Sequence, residues 1–320
     1  MSGLFESVSV AWVSLTAITW LCVALFAPRL AGADPSTSAS SRIWTARAWI
    51  YAPLWVPLAL ICAAFTPGLV GALLSSGDHC LSHGHHHHLC LLHPPQHTGG
   101  ALFWAAPVTL LAAAALALIP GARRLVSQRR LARALLSVSR GSSLGHDVRL
   151  LDHPEPMALA VGCKAPRIMI STGLMERASQ HTLDAILAHE RAHIERKDVA
   201  FAIADRLAAA LLPPAIAAAL LEGLALACEQ ACDERAADLT GGPVRMARAL
   251  TEVARLNMTI PDAGLSVASG QFEARILYLL GPPRRGGNRP IAAALAAGIV
   301  AAGAGPIHTA IEHLLNHLLH

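Results

Sequence analysis

Charged side chains are scarce in this sequence: Asp, Glu, Lys and Arg make up 14% of 320 residues, where an ordinary soluble domain carries about a quarter. That shortfall excludes a soluble domain of usual make-up and predicts that much of the chain lies in lipid. Aromatic residues are also few, at 4%, and no Lys/Arg block is interleaved with them. The formal charge of +4 is therefore no footprint for direct nucleic-acid binding. Cysteine is too thinly spread for a disulfide framework. Cys22 and Cys62 fall in apolar runs, and Cys163, Cys228 and Cys232 fall in the segment read below as cytoplasmic. Only Cys80 and Cys90 share a loop read as external, where a disulfide is chemically permitted. The 75–100 connection that holds them has no Lys or Arg.

Long apolar runs are present instead, at 8–27, 48–74 and 101–120, and the mean hydropathy is +0.47. Roughly 20 apolar residues in a helix cross a bilayer core, so each run is long enough to span. A fourth run, 291–307, is rich in Ala and Gly and is read as a further span. No basic segment precedes the first run, where Glu6 is the only charge, and Pro28-Arg29 follow it. It is read as a retained span rather than a signal peptide. Arg29, Arg42 and Arg47 sit in the 28–47 connection, and Arg123, Arg124, Arg129, Arg130, Arg133 and Arg140 follow the third run. The positive-inside rule then assigns 28–47 and 121–289 to the cytoplasm and 75–100 to the exterior, with both termini outside.

The expected architecture is a mainly α, multi-span cell-membrane protein with an α+β cytoplasmic domain. Its expected divisions are 1–120 (three transmembrane helices with an external loop at 75–100), 121–289 (the cytoplasmic domain), and 290–320 (a fourth span and short tail). Within the middle division, 122–138 reads as a basic amphipathic helix, and 147–151 as extended chain. Residues 157–171, with a turn at Lys164-Ala165-Pro166, read as a hairpin. A helical stretch begins near Gln180, with Thr182 as N-cap and 182–196 as the motif helix, then a helical hairpin over 199–227 interrupted by Asp205, Arg206, Pro213-Pro214 and Glu222. Further helices are expected at 223–239 and 244–257, separated by Gly241-Gly242-Pro243.

The helix expected at 182–196 carries His189-Glu190-Arg191-Ala192-His193. Spacing of i, i+4 puts both imidazoles on one face, one turn apart, where they can converge on one metal ion. Glu190 lies between them, placed to take a proton from water at the metal and to return it to a leaving amine. This is the HExxH arrangement of zinc proteases. With 17 histidines and 11 glutamates, chance gives roughly 0.03 such matches in this composition. The coincidental reading, a charged surface on an ordinary helix, is further opposed by the apolar lead-in Ala185-Ile186-Leu187-Ala188.

Catalytic zinc usually takes three protein ligands and keeps one position open. The chain supplies an acidic segment at 229–238 with two Glu-x-x-x-Asp frames, Glu229/Asp233 and Glu234/Asp238. In either frame the Glu can bind metal while the Asp orients a ligating imidazole. Asp198 is a further candidate to brace the motif helix. Arg235 and Arg245 are candidates for stabilising an oxyanion.

His189-Glu-Arg-Ala-His193, then Arg196-Lys-Asp198, then Glu229-x-x-Cys232-Asp233 resemble the BlaR/MecR-type membrane metallopeptidases. They are also similar to the related HtpX and CAAX-prenyl-protease group. The resemblance covers roughly 120–260 and implies a zincin-like α+β cytoplasmic metallopeptidase domain, with a gluzincin-type site that has His189, His193 and Glu229 on Zn2+ and Asp233 behind them. Glu229 is favoured over Glu234 because the Cys-Asp pair of that group falls on Cys232-Asp233. The resemblance also implies that Ala158, Leu159, Ala160 and Val161 form a sheet edge that pairs with an extended peptide substrate. Antirepressor members inactivate a cytoplasmic repressor, so a winged-helix repressor is an expected partner besides the lipid bilayer. Only 13 residues, 308–320, follow the fourth apolar run here, so β-lactam sensing is not expected.

Two other functions compete. One is HtpX-like quality-control proteolysis. The other is a non-catalytic metal sensor built on His79, Cys80, His83, His85, His86, His87, His88 and Cys90 of the external loop, since imidazole and thiolate suit zinc, copper or nickel.

Overall fold

A computed structural model describes residues 2–31, 37–73, 101–162, 165–257, 265–282, 284 and 303–319. The histidine-rich loop and most of the 291–307 run lie outside these residues.

Helices α1 (Ser2–Ala31) and α2 (Ala39–Leu73) pack along each other and are followed by α3 (Ala101–Val138). The apolar run at 101–120 and the basic stretch at 122–138 form this one helix of 38 residues. At about 1.5 Å per residue it reaches roughly 57 Å, longer than the roughly 30 Å of a hydrocarbon core. The boundary expected at 121 is therefore continuous helix.

A four-stranded sheet follows, with β1 (Arg140–Ser142), β2 (Gly145–Leu151), β3 (Ala158–Val161) and β4 (Arg167–Ser171) in the order β1-β2-β4-β3. β2 and β4 are parallel, and the outer pairs are antiparallel. The expected hairpin is β3 and β4, registered Ala158↔Ile170 and Val161↔Arg167. One face of the sheet packs Val148, Ile168 and Ile170 against Leu183 and Leu187 of the next long helix.

After the short α4 (Thr172–Arg177) come α5 (Gln180–Glu195), α6 (Asp198–Ala209), α7 (Pro214–Thr240), α8 (Pro243–Asn257), α9 (Leu265–Leu280) and α10 (Ala304–Leu319). Three departures from expectation have physical reasons. The N-cap of α5 is Ser179 and not Thr182, because the Ser179 hydroxyl accepts from the Thr182 N–H; the helix begins at Gln180, where it was expected. The second arm of the 199–227 hairpin and the acidic 223–239 helix are one helix, α7. Pro214 is harmless there because it opens the helix, where its missing N–H has no partner to lose. Finally, the expected short tail is the amphipathic α10, whose Ile311 and Leu315 pack on Ala11, Leu15, Ile61 and Ala64 of α1 and α2.

Gly241 ends α7 in the left-handed region at φ 97°, which a residue with a Cβ rarely adopts. This turn brings α8 back along α5 and α7, where Ala185, Ala188, Ala236, Ala237, Ala247 and Ala249 share a closely packed cluster with Met246 and Leu279. Among the described residues, three helical stretches are long and apolar enough to cross a membrane: Ser7–Phe26, Ala39–Val70 and Pro214–Thr240. The last qualifies by length and composition, but its second half carries Glu229, Gln230, Asp233, Glu234 and Asp238. That half belongs to the site described next.

Candidate metal centre and peptide cleft

Helix α5 is anchored at its start. Glu252 of α8 accepts from the Ser179 N–H at 2.7 Å and from the Thr182 hydroxyl at 2.7 Å, fixing the first turn. Arg191, inside the motif, turns away from the imidazoles and pairs with Asp147 of β2 at 3.0 Å. That hydrogen bond holds the Asp147 carboxyl below its ordinary range despite some burial. With its outer face held on the sheet, α5 turns His189 and His193 towards α7.

The two rings stand nearly perpendicular, at 78°, with their Nε2 atoms 3.1 Å apart. Glu229 of α7 completes a triangle: its Oε2 is 3.4 Å from His189 Nε2 and its Oε1 is 3.5 Å from His193 Nε2. Tetrahedral zinc with bonds of about 2.0–2.1 Å separates its ligand atoms by about 3.3 Å. The three edges lie close to that figure, and two imidazoles with one carboxylate are a donor set that zinc takes. The residues present fit a catalytic metal ion.

Each imidazole is held from behind. Asp233 Oδ1 lies 2.9 Å from His189 Nδ1, a close contact that sits off the axis of a well-aligned hydrogen bond. Asp198 Oδ2 lies 3.0 Å from His193 Nδ1. Asp198 reaches this position because Lys197 takes a left-handed conformation (φ 58°), reversing the chain so that α6 begins on Asp198 itself. Arg196 donates to the same carboxylate oxygen at 3.0 Å, and Cys232 Sγ is 3.4 Å from His193 Nδ1. Asp233 is fully buried. Burial opposes its charge, but the Arg275 guanidinium and His189 outweigh this and hold its carboxyl below the ordinary range. Burial likewise opposes charge on both histidines. Their partners win there too: the Asp233 and Glu229 carboxylates raise His189, and the Asp198 carboxylate, the Cys232 sulfur and the Glu229 carboxylate raise His193.

Arg275 of α9 was not singled out from sequence. It donates to both oxygens of Asp233 at 2.7 Å and lies 3.1 Å from Glu229 Oε2. No local motif marks it, because it arrives on a helix about forty residues after the acidic pair. The arginines that were singled out lie elsewhere. Arg235 pairs with Glu195 at 3.4 Å on the surface, and Arg245 folds over Gly241 towards the Thr240 carbonyl. Glu234 is also turned away, accepting from the Tyr278 hydroxyl at 2.8 Å. Of the two acidic frames, the one facing the histidines is Glu229/Asp233.

A cavity of about 720 Å3 opens over this cluster, lined by His189, Glu190, His193, Glu229 and Arg275 on one side. Ala158, Leu159 and Ala160 of β3 line the same cavity. β3 is the outer strand of the sheet, and among the described residues no strand pairs with its free edge. An extended chain laid there would pass beside the histidines. Apolar side chains, including Met157, Ile186, Met246 and Leu250, line the rest of this end.

Residues 126–222 match the family model of Peptidase family M48. The match takes in the sheet, α5 with both histidines, α6 and the apolar start of α7, and it ends before Glu229. It supports a metallopeptidase. No solved structure matches the chain.

Proposed function

We propose that the chain is a membrane-bound, zinc-dependent endopeptidase whose site faces the cytoplasm. The observation that carries this reading is the triangle of His189 Nε2, His193 Nε2 and a Glu229 carboxylate oxygen, with edges of 3.1–3.5 Å, beside Glu190 in an open cleft. His189, His193 and Glu229 hold the metal, and Asp233 and Asp198 fix the orientation of the two imidazoles from behind. Bound zinc supplies Lewis acidity to a water molecule and to the scissile carbonyl. Glu190 takes the proton from the attacking water and delivers it to the departing amine. The β3 edge, Ala158–Val161, aligns the substrate by main-chain hydrogen bonds. Arg275 keeps Asp233 and Glu229 charged.

The cytoplasmic orientation rests on the arginine asymmetry of the connections. The start of α2, which lies in the Arg-rich 28–47 side, bonds directly to α6, α7 and α9, which supports a common side for both. Within this reading the protease is regulatory and cleaves a cytoplasmic repressor, a role supported by the Glu229-x-x-Cys232-Asp233 pattern. Quality-control proteolysis is the second reading, supported by the match to Peptidase family M48.

The deciding experiment uses the full chain in lipid nanodiscs. Zinc content and hydrolysis of an unstructured protein substrate are measured for wild type, Glu190→Gln and His193→Ala. Glu190→Gln should keep zinc and lose activity by about 10²–10⁴-fold, the usual worth of a positioned acid–base group. His193→Ala should lose both. Wild-type hydrolysis by Glu190→Gln would overturn the mechanism. For the role, accumulation of a cleaved repressor separates regulation from general turnover of damaged membrane proteins.

A further inference from the structure

Beside the catalytic cavity lies a second one of about 420 Å3, bounded by one face each of α3, α6 and α7. On α3 the lining residues run Ala117, Pro120, Gly121, Arg124, Leu125 and Gln128, a surface that is apolar at its start and gains one cation, Arg124, and the polar Gln128 further along. This is the point where the apolar half of α3 gives way to its basic half. α6 contributes Arg206 beside Ile203 and Leu207, while α7 contributes its apolar opening turns through Ala217 and Leu221. Leu207 lies over Gly121, 2.6 Å from where a Cβ would stand, so the two helices approach closely at the cavity floor. Arg124 and Arg206 are both exposed, and neither has a hydrogen-bond or ion-pair partner among the described residues.

We propose that this cleft binds one anionic phospholipid, with its headgroup phosphate between Arg124 and Arg206 and an acyl chain along Ala117 and the α7 opening turns. Charge and depth agree on that occupant. Arg124 sits one turn beyond the end of the 101–120 apolar run, the level at which headgroups lie if that run spans, and Arg206 lines the same cavity beside it, with apolar lining from Ala117 and the α7 opening turns. A soluble anion would use the arginines but not the apolar wall, whereas a zwitterionic lipid brings no net negative charge to the two cations and adds a third cationic group beside them. Arg206 and Leu221 also line the catalytic cavity, so the lipid shares a wall with the site above.

The inference rests on the membrane placement of α3 and not on the peptidase reading. Its test therefore reads lipid, not hydrolysis. The full chain is taken from nanodiscs of phosphatidylcholine with phosphatidylglycerol, and retained lipid is counted by native mass spectrometry. Wild type should keep one phosphatidylglycerol in preference to phosphatidylcholine. The double variant Arg124→Gln/Arg206→Gln should hold it about 30-fold more weakly, about fivefold for each cation at a membrane surface. Arg124→Lys/Arg206→Lys should retain it. Ala117→Phe, with both arginines intact, should exclude it by filling the apolar wall. Wild-type retention by either folded loss variant overturns the proposal, as does equal competition by inorganic phosphate. Resistance to alkaline extraction from membranes, measured on the same samples, reports separately whether α3 is embedded at all.

Discussion

Replacing Asp233 with Asn separates the two acidic frames that the sequence leaves open, and its effect follows from three distances. Asp233 is fully buried, accepts two hydrogen bonds from Arg275 at 2.7 Å, and lies 2.9 Å from His189 Nδ1. Asparagine has the same shape but only one acceptor oxygen. If that oxygen faces Arg275, the amide N–H2 faces His189 Nδ1 and favours the tautomer with its proton on Nε2, where it blocks metal ligation. If the oxygen faces His189, the amide meets a guanidinium N–H. Either way one charge-assisted bond is lost, worth about 1.5–3 kcal/mol. The loss stays below the 3–5 kcal/mol typical of a broken buried pair, because Arg275 keeps Glu229 at 3.1 Å. Zinc affinity should fall by about 10–100-fold, as for other residues that orient a ligating imidazole. Chelator competition on the full chain in nanodiscs measures this, and thermal unfolding of the metal-free protein measures the stability loss. Glu234→Gln is the paired control and should leave zinc affinity unchanged, since Glu234 faces Tyr278. Zinc affinity within twofold of wild type for Asp233→Asn, or an equal loss for Glu234→Gln, would refute the assignment.

Both imidazoles have pKa values raised above the ordinary histidine range in the metal-free protein, so zinc must displace protons to bind. Apparent zinc affinity should rise with pH through neutrality, with proton release detectable by calorimetry in buffers of different ionisation heat. The same shifts stabilise the metal-free fold fully below about pH 6.5, the unfolded histidine value. That contribution should fade as pH climbs towards the raised folded values, so metal-free unfolding midpoints should fall on that side. Ser179→Ala removes the cap of α5 and should cost about 1 kcal/mol in chemical unfolding while leaving zinc content intact. Leu159→Arg puts a cation on the β3 wall of the cleft and should raise KM for apolar peptides with kcat nearly unchanged.

The local chemistry was legible in the sequence because it is written at helical spacing. His189, Glu190 and His193 lie within one turn and a half, and the 158–171 hairpin shows as two short apolar runs about a turn. Asp198 and the Glu-x-x-x-Asp frames were visible as candidates, but choosing between frames required a relative rotation of α7 against α5 that no spacing encodes. Arg275 was invisible for the same reason. It shares no motif with the ligands, and an arginine in an amphipathic helix is ordinarily a solvated one. The length of α7 was misjudged because Glu222 read as an interruption and 223 as the start of a new helix, whereas Glu222 and Gly223 both lie mid-helix. A single mid-helix glycine costs only about 1 kcal/mol against alanine, and Leu220, Leu224 and Ala227 recover this by packing in the cluster shared with α2.

That shared cluster bears on how the expected divisions relate. The first turns of α2 grip each of the three helices that carry the residues around the imidazoles. Arg47 and Tyr51 hold Asp205 of α6 at 3.1 and 3.0 Å, seven residues from Asp198 on the same helix. Arg42 donates to Gln230 of α7, the neighbour of Glu229. The Ala39 N–H donates to the Tyr278 hydroxyl of α9 at 2.9 Å, one turn from Arg275. Beneath these contacts, Ile43, Ala46 and Ile50 of α2 pack with Ala208, Leu220, Leu224 and Ala227 in one continuous core. Cutting the chain at 121 would expose this apolar surface and leave Asp205 buried against nothing. Residues 121–289 expressed alone should therefore bind zinc weakly and unevenly even with His189, His193 and Glu229 all present. Co-expression with 1–120 should restore stoichiometric zinc. Full, tight zinc loading by the isolated 121–289 region would show that α2 is a tether and not part of the frame that sets the site.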